Sequence, residues 1–586
     1  MAVLPKTDVV FVGFGMVNSI IAAELGKHTS LKMVGLERGP YRDTFPDFLQ
    51  DHFDEWRYSI QGDLFQDLSK NTITFRNQRE QTALPMRQYG SFLPGDGVGG
   101  AMVHWNGVSW RFLEHHFNYR SHHEQRYGPD FLPEDTTIQD WGVSYQDLEP
   151  YYTAYEKTFG IGGKAGNLQG VIQEGGNRFE GPRSEEFPQP PGKKPYNTTL
   201  FRDAATELGY NVFPMPSGNS TGTYTNPDGQ TLGACNYCGF CERYGCHVGA
   251  KGSPIVTTVP TALASGNLEI RQFANVFRIN HTGGQATSVS YYDENGQEQE
   301  QPADLIIVGT FMLENTRLML LSNIGQPYDP VQNTGVVGRN YTYQLGGANA
   351  TVWYDDKIMN RFMGAGAAGF GMDDFHSDNF DHTGLGFFGG GNISANNTGA
   401  RPIENSGPLP PGSPTWGSGW KEAVKKYYNR SAGFSMQGES PAYRQNYVDL
   451  DPTYRDAWGN PLLRITFNWT DNERRLVKWV NENPITQIAN AMGGSIVRTG
   501  SEITDYSIVP YQSTHLQGGT VMGTDPTTSV VNTSLQSWDV SNLFVVGASN
   551  FPQNPGYNPT GTVGALAYKA ANDIITRYLP SPGPLA

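Results

Sequence analysis

The chain has 586 residues, with 42 basic against 57 acidic side chains and a formal net charge of −15, a balance that disfavours nucleic acid as a partner. Only 17% of residues are charged, whereas 12% are aromatic and Gly (70) and Pro (38) are abundant, so the chain reads as a loop-rich globular enzyme of more than one domain rather than a disordered one. No apolar run reaches the roughly 18–20 residues that span a bilayer, and the opening Met1–Asp8 lacks the charged-then-apolar layout and the twin arginine of an export signal.

The first element already carries chemistry. Asp8-Val-Val-Phe-Val12 is a β-branched apolar run of strand length, followed at once by Gly13-Phe-Gly15-Met-Val-Asn18 and a helical pattern through Ile20, Ile21 and Leu25. A second strand, Leu31–Leu36, ends at Glu37, 24 residues beyond Gly13. A strand–turn–helix–strand unit with this spacing binds a dinucleotide. Gly13 makes the tight turn, Gly15 lets a pyrophosphate reach the helix N-terminus, and Glu37 is placed for the adenosine ribose hydroxyls. Asn18 stands where the fingerprint has its third glycine and is counted with the cofactor-binding residues.

That unit does not choose between NAD and FAD, but three later segments favour FAD. Gly95–Gly107 is a glycine-dense loop, holding Gly97, Gly99, Gly100, His104 and Asn106, of a kind that lies against a flavin ring. Leu305–Gly309 is an apolar strand with a helical pattern behind it, and Asn542–Gly547 is another buried strand. Beyond it, Asn554-Pro-Gly-Tyr-Asn558-Pro-Thr560 leads into a helix with Val563, Leu566, Ala567, Ala570 and Ile574 on one face. Earlier, between residues 346 and 502, Gly364–Gly371 and Phe387–Gly391 read as close backbone approaches, mobile loops over a site, or plain linkers.

All four cysteines fall in one run, Cys235-Asn-Tyr-Cys238-Gly-Phe-Cys241-Glu-Arg-Tyr-Gly-Cys246. Cysteines this concentrated can reach a common metal centre, and the spacing matches the way iron–sulfur clusters are gripped. The last gap is one residue longer than in the bacterial ferredoxin run, and His247 replaces its proline, so spacing alone leaves three-iron and four-iron centres open. A tetrahedral zinc knot and a pair of local disulfides are the competing readings.

With the fingerprint, the Gly97–Trp105 loop, the cysteine run, Val337-Gly-Arg-Asn340, His515-Leu-Gln-Gly-Gly-Thr-Val-Met522 and Asn558-Pro-Thr560, the sequence resembles the glucose–methanol–choline (GMC) oxidoreductase superfamily over essentially its whole length. Within it, the chain is most similar to the large flavoprotein subunits of bacterial membrane-bound sugar and sugar-acid dehydrogenases, the gluconate branch above all. The resemblance implies an α/β fold in which a Rossmann-like FAD-binding domain (1–45, 88–112, 200–345 and 503–586, with the cysteine segment 233–250) is interleaved with a substrate-binding domain built on an antiparallel sheet (46–87, 113–199 and 346–502). It implies that His515 and Asn558 face the flavin N5, His515 as base for a hydroxyl proton and Asn558 as donor to the developing alkoxide. On the residues alone, Asn558-Pro559 is equally an ordinary helix start and His515 an ordinary loop histidine. Gly547, Pro559 and Thr560 join the cofactor-binding set.

His104, in Gly99-Gly100-Ala-Met-Val-His104-Trp105, matches the histidine that carries covalent flavin in pyranose 2-oxidase relatives, with simple packing against the ring as the other reading. Cys235, Cys241 and Cys246 match, with one residue inserted, the three ligands of a 3Fe–4S cluster, which the resemblance favours over 4Fe–4S, while the extra Cys238 leaves the cluster type open. The function these features imply is oxidation of D-gluconate to 2-dehydro-D-gluconate by hydride transfer to FAD. Electrons would then leave singly through the cluster. A small subunit and a membrane-bound multihaem cytochrome c would be the partners, at the periplasmic face of the inner membrane, with export on the partner's signal. A cytoplasmic location is the fallback. 2-Ketogluconate, sorbitol, fructose, glucose or a glycoside are alternative substrates; a non-catalytic flavin and iron–sulfur electron carrier, or an extracellular oxidase with two disulfides, are alternatives of another class. A sugar acid asks for a cation, for which Arg361, Arg401 and Lys421 are the candidates.

Overall fold

The apolar run at the N-terminus builds the strand Thr7–Val12, and the helical pattern behind it builds the helix Met16–His28. This computed structural model describes residues 2–49, 64–88, 90–399 and 406–585. Thr7–Val12 lies at the centre of a parallel layer in the order Leu268–Arg271, Met33–Leu36, Thr7–Val12, Glu298–Val308, Leu543–Val545. Val9, Val10 and Phe11 pair in register with Leu305, Ile306 and Ile307, and all six side chains are buried. Near-continuous apolar strands are what a parallel sheet covered on both faces requires. The expected strands at 305–309 and 542–547 are both members of it. Glu298–Val308 outruns its parallel partners, and its first half pairs antiparallel with Gln285–Tyr292, which pairs in turn with Asn275–Thr282.

The second sheet is antiparallel throughout, in the order Ile496–Thr499, Asn349–Trp353, Ser431–Gly438, Gly391–Asn397, Ala365–Met372, Val212–Pro214. The glycine-rich stretch 364–371, for which the sequence left close backbone approaches, mobile loops and linkers open, is mostly strand, and every residue of Ala365–Met372 is buried. Small residues are needed there because other backbone comes very close. A Cβ on Gly366 would sit 1.9 Å from the carbonyl oxygen of Asn106, in the glycine-dense loop. That contact seats the antiparallel sheet directly on the loop expected to hold a flavin. A smaller sheet joins Tyr447–Arg455, Pro461–Thr466, Ile73–Arg76 and Leu84–Pro85. No helix among the described residues is long and apolar enough to cross a membrane.

Candidate active site

A cavity of about 520 Å³ lies where the C-terminal ends of the parallel strands meet the antiparallel sheet. At one end it is lined by Gly13, Gly15, Met16, Glu37 and Arg38. Gly13 has φ 75°, a left-handed value that suits glycine, and a Cβ there would meet Thr310 Cγ2 at 2.9 Å. Gly15 ends the turn and caps the Met16–His28 helix with no side-chain hydrogen bond, which leaves an uncapped helix N-terminus for an anion. Glu37 is held still: Oε2 accepts from the Phe14 N–H at 2.8 Å and Oε1 from the Gly39 N–H at 2.9 Å. Burial nevertheless raises its pKa, against the pull of those two donors.

Asn18 departs from the sequence reading. It is fully buried and does not line the cavity. Its Nδ2 donates to the carbonyls of Val12 (2.9 Å) and Gly13 (2.7 Å), and its Oδ1 would sit 2.6 Å from a Cβ on Gly309. Where the fingerprint's third glycine lets helix and strand approach, here a small amide fills the gap and ties the strand end down. Its role is in the framework, not toward the cofactor.

The other end of the cavity is made of side chains drawn from distant segments. His515 Nε2 and Asn558 Nδ2 lie 3.1 Å apart. The helix begins at Thr560, so Asn558 precedes its cap and its amide meets His515 and Trp110 instead of capping. His515 faces the cavity, and loss of hydration lowers its pKa to about 4, which leaves a neutral ring able to take a proton. Its Nδ1 has no hydrogen-bond partner. Asn396, Ser435 and Gln437, from neighbouring strands of the antiparallel sheet, add polar groups to the wall; Ser435 and Gln437 share a face because they are two apart on one strand.

Between the two ends, Gly97, Gly99, Gly100, His104, Asn106, Gly547, Pro559 and Thr560 all line the same cavity. His104 is 6% exposed, its Nε2 has no partner, and burial, reinforced by Lys251, lowers its pKa to about 3. A neutral imidazole nitrogen with no protein partner, in the wall of a cavity, fits attachment to a bound ring.

The cysteine run packs immediately behind that wall. The Arg243 N–H donates to the His104 carbonyl at 2.8 Å, and the Lys251 ammonium, 1% exposed, donates to the carbonyls of Cys241 (2.6 Å), Tyr244 (2.6 Å) and Val103 (3.4 Å). Gly239 and Gly364 are joined by a 3.0 Å backbone hydrogen bond, so the loop also grips the antiparallel sheet. All four cysteines are free thiols, which removes the disulfide reading. Cys235, Cys238, Cys241 and Cys246 are the side chains of this loop that could hold a metal centre. Burial pushes the Cys235 thiol up to about 11 and the Cys241 thiol up to about 12.

Two arginines line the cavity, Arg38 and Arg243. Arg38 is paired with Glu314 (3.2 Å) and Asp96 (3.5 Å); Arg243 Nε lies 3.7 Å from Glu242, which lines the same cavity, and the Arg243 guanidinium lies 4.4 Å over the ring of Tyr511, four residues before His515. Neither Arg361, stacked on Tyr428, nor Lys421, exposed on the Gly417–Tyr427 helix, lines the cavity, and Arg401 lies outside the described residues. Arg243 was visible in the sequence as a cation inside the cysteine run; its place at the cavity follows from the fold of that loop.

Comparison with known proteins agrees with this geometry. Residues 137–345 and 442–567 match the GMC oxidoreductase family profile. The chain is 47% identical over 590 residues to the gluconate 2-dehydrogenase flavoprotein of Pantoea cypripedii, covering 99% of this chain and 95% of that protein. It is 24% identical over 598 residues to the fructose dehydrogenase large subunit of Gluconobacter japonicus, covering 97% and 98%. Among solved structures, pyridoxine 4-oxidase from Mesorbium loti shares the fold, with a TM-score of 0.56 at 16% identity over 97% of this chain and 99% of that one. The chain belongs to the GMC oxidoreductase family of FAD-binding enzymes, and is itself an oxidoreductase of that family.

Proposed function

We propose that this enzyme oxidises the C2 hydroxyl of a sugar acid, D-gluconate to 2-dehydro-D-gluconate, and releases the electrons one at a time through an iron–sulfur centre. The observation that carries the reading is the His515–Asn558 pair, 3.1 Å apart in the same cavity as a dinucleotide fingerprint, in a chain 47% identical to a gluconate 2-dehydrogenase flavoprotein. Gly13, Gly15 and Glu37 would hold the pyrophosphate and adenosine ribose of FAD, and Gly97, Gly99, Gly100, Asn106, Gly547, Pro559 and Thr560 its ring, with His104 as the covalent anchor. When bound, FAD supplies a two-electron hydride acceptor and a cluster on Cys235, Cys238, Cys241 and Cys246 supplies one-electron exit, the 3Fe–4S form leaving Cys238 unused. His515 Nε2 takes the hydroxyl proton as the C2–H bond breaks. In the free enzyme one N–H of the Asn558 amide points at His515 Nε2; the arriving hydroxyl takes its place on that nitrogen, and the amide then donates to the substrate oxygen as charge builds there. Arg243 receives the carboxylate, a pairing that an arginine fork favours.

The fructose dehydrogenase relative is by name the large subunit of an assembly. In this reading the present chain likewise works with a small subunit and a membrane-bound multihaem cytochrome c at the periplasmic face. The test is an anaerobic titration of the purified chain with gluconate, following flavin and cluster absorbance together. Flavin bleaching by stoichiometric gluconate, with cluster reduction behind it, is the expected result. Bleaching by a neutral sugar or polyol but not by gluconate would overturn the substrate, and silence with every sugar would overturn the dehydrogenase. In the same assay, Arg243→Met should raise KM for gluconate about tenfold or more without a matching change for sorbitol or fructose.

A further inference from the structure

Trp110 is 3% exposed and does not line the cavity, yet its indole Nε1–H donates to Asn558 Oδ1 at 3.1 Å. An indole N–H can only donate, so the carbonyl side of the Asn558 amide must face Trp110 and its NH₂ must face His515. An NH₂ group can only donate in turn, so His515 Nε2, 3.1 Å away, must accept. The proton of the neutral ring is thereby assigned to Nδ1 and the lone pair to Nε2, where an arriving alcohol displaces the Asn558 N–H and finds an acceptor for its proton. We propose that Trp110 is a positioning residue for alcohol oxidation: its single N–H fixes the Asn558 amide, and through it the His515 tautomer that can act as base. The inference rests on the reading of His515 and Asn558 given above.

The structure around Trp110 is built to hold that N–H in place. Its ring stacks on Tyr557 (4.8 Å, 13°) and meets Phe213 edge-on (6.0 Å, 89°). A Cβ on Gly561 would lie 2.2 Å from the Trp110 carbonyl oxygen, so the start of the terminal helix presses on its backbone. Tyr557 donates its hydroxyl to the buried carboxylate of Asp373, which also accepts from Asn177 (2.6 Å) and Asn392 (2.8 Å). His376 Nδ1 faces the same carboxylate at 3.3 Å, and its Nε2–H donates to the Pro555 carbonyl at 2.7 Å. The segment from Pro555 to Asn558 is thus fixed by its backbone and by both side chains at its end.

Among the described residues, His116, His376 and Glu439 also converge within 4.8 Å, as metal ligands would. The Leu113 N–H donates to His116 Nδ1 at 3.1 Å, which puts the ring proton on Nε2, the nitrogen 3.3 Å from Glu439 Oε1. A protonated nitrogen cannot ligate, so this trio is packed polar structure beside the anchor and not a metal site.

Trp110→Phe removes the N–H and keeps an aromatic ring against Tyr557. With gluconate, or whichever of sorbitol and fructose reduces the purified enzyme, kcat should fall about 10- to 100-fold while KM stays within about twofold, since misplacement of a reacting group costs rate more than binding. Flavin content and Tm should stay near wild type. In an Asn558→Ala background the same change should have no further effect, because Trp110 acts through that amide. Unchanged kcat in Trp110→Phe, or losses that multiply in the double variant, would overturn the proposal while leaving the pair standing. Near-normal turnover in both His515→Ala and Asn558→Ala would instead overturn the pair, and the proposal with it.

Discussion

The two ends of the cavity are made of different material. The end that would hold the adenosine is mostly backbone: a glycine turn, an uncapped helix N-terminus and one carboxylate held by two N–H groups, all within residues 12–39. The reacting end is side chains: His515, Asn558, Asn396, Ser435 and Gln437 in the wall, with Trp110 behind Asn558, from segments as much as hundreds of residues apart. Backbone recognition is set by local conformation, so it is compact in sequence and changes little when single side chains change. Side-chain chemistry depends on the whole fold to bring its parts together, and a single truncation removes a function.

The strongest test of that division is His515→Ala. Loss of a general base should lower kcat about 10²- to 10⁴-fold, with flavin content unchanged; loss of flavin would show instead that the two ends are not separable. Next in size, Cys241→Ala should cut turnover with one-electron acceptors at least about tenfold and lower iron per chain, while anaerobic flavin reduction by substrate keeps its rate. A parallel fall in that half-reaction would mean the cysteine loop shapes the reacting end and not merely the exit. His104→Ala addresses the boundary between the ends: acid precipitation should leave flavin on the wild-type chain and release it from the variant, with binding before denaturation largely kept. Flavin released equally from both would remove the covalent anchor. The smallest effect concerns pH. Because desolvation lowers the His515 pKa to about 4, the ring stays neutral above that pH, and the acid limb of kcat/KM should lie nearer 4 than the ordinary histidine value of ~6.5. A limb at 6.5 would mean that His515 is hydrated in the working enzyme.

The same contrast explains what could be read from the sequence. Gly13, Gly15 and Glu37 are legible because a strand, a turn and a helix in immediate succession have one physical use. His515 and Asn558, 43 residues apart, came only through family resemblance; on residues alone each has an ordinary structural reading. Asn18 was legible as the missing third glycine, but sequence position within a fingerprint does not say which way a helix side chain points, and its amide ties down the strand end outside the cavity wall. For 364–371 the close backbone approach was legible but the strand was not, because glycines in a buried strand look like loop glycines until the second backbone, here Asn106, is in place. Trp110 gave no signal at all: in Ser109-Trp110-Arg111-Phe112 it reads as core, which it is, and its N–H matters only because Asn558 arrives from 448 residues away.

Lys251 ties one more pair of regions together. A single ammonium bridges carbonyls of the cysteine run and of the loop that leads into His104, so neither stretch can take its final shape while the other is unformed. Loss of that one charge would therefore be felt twice, in the fold of the cysteine run and in the backbone beside His104.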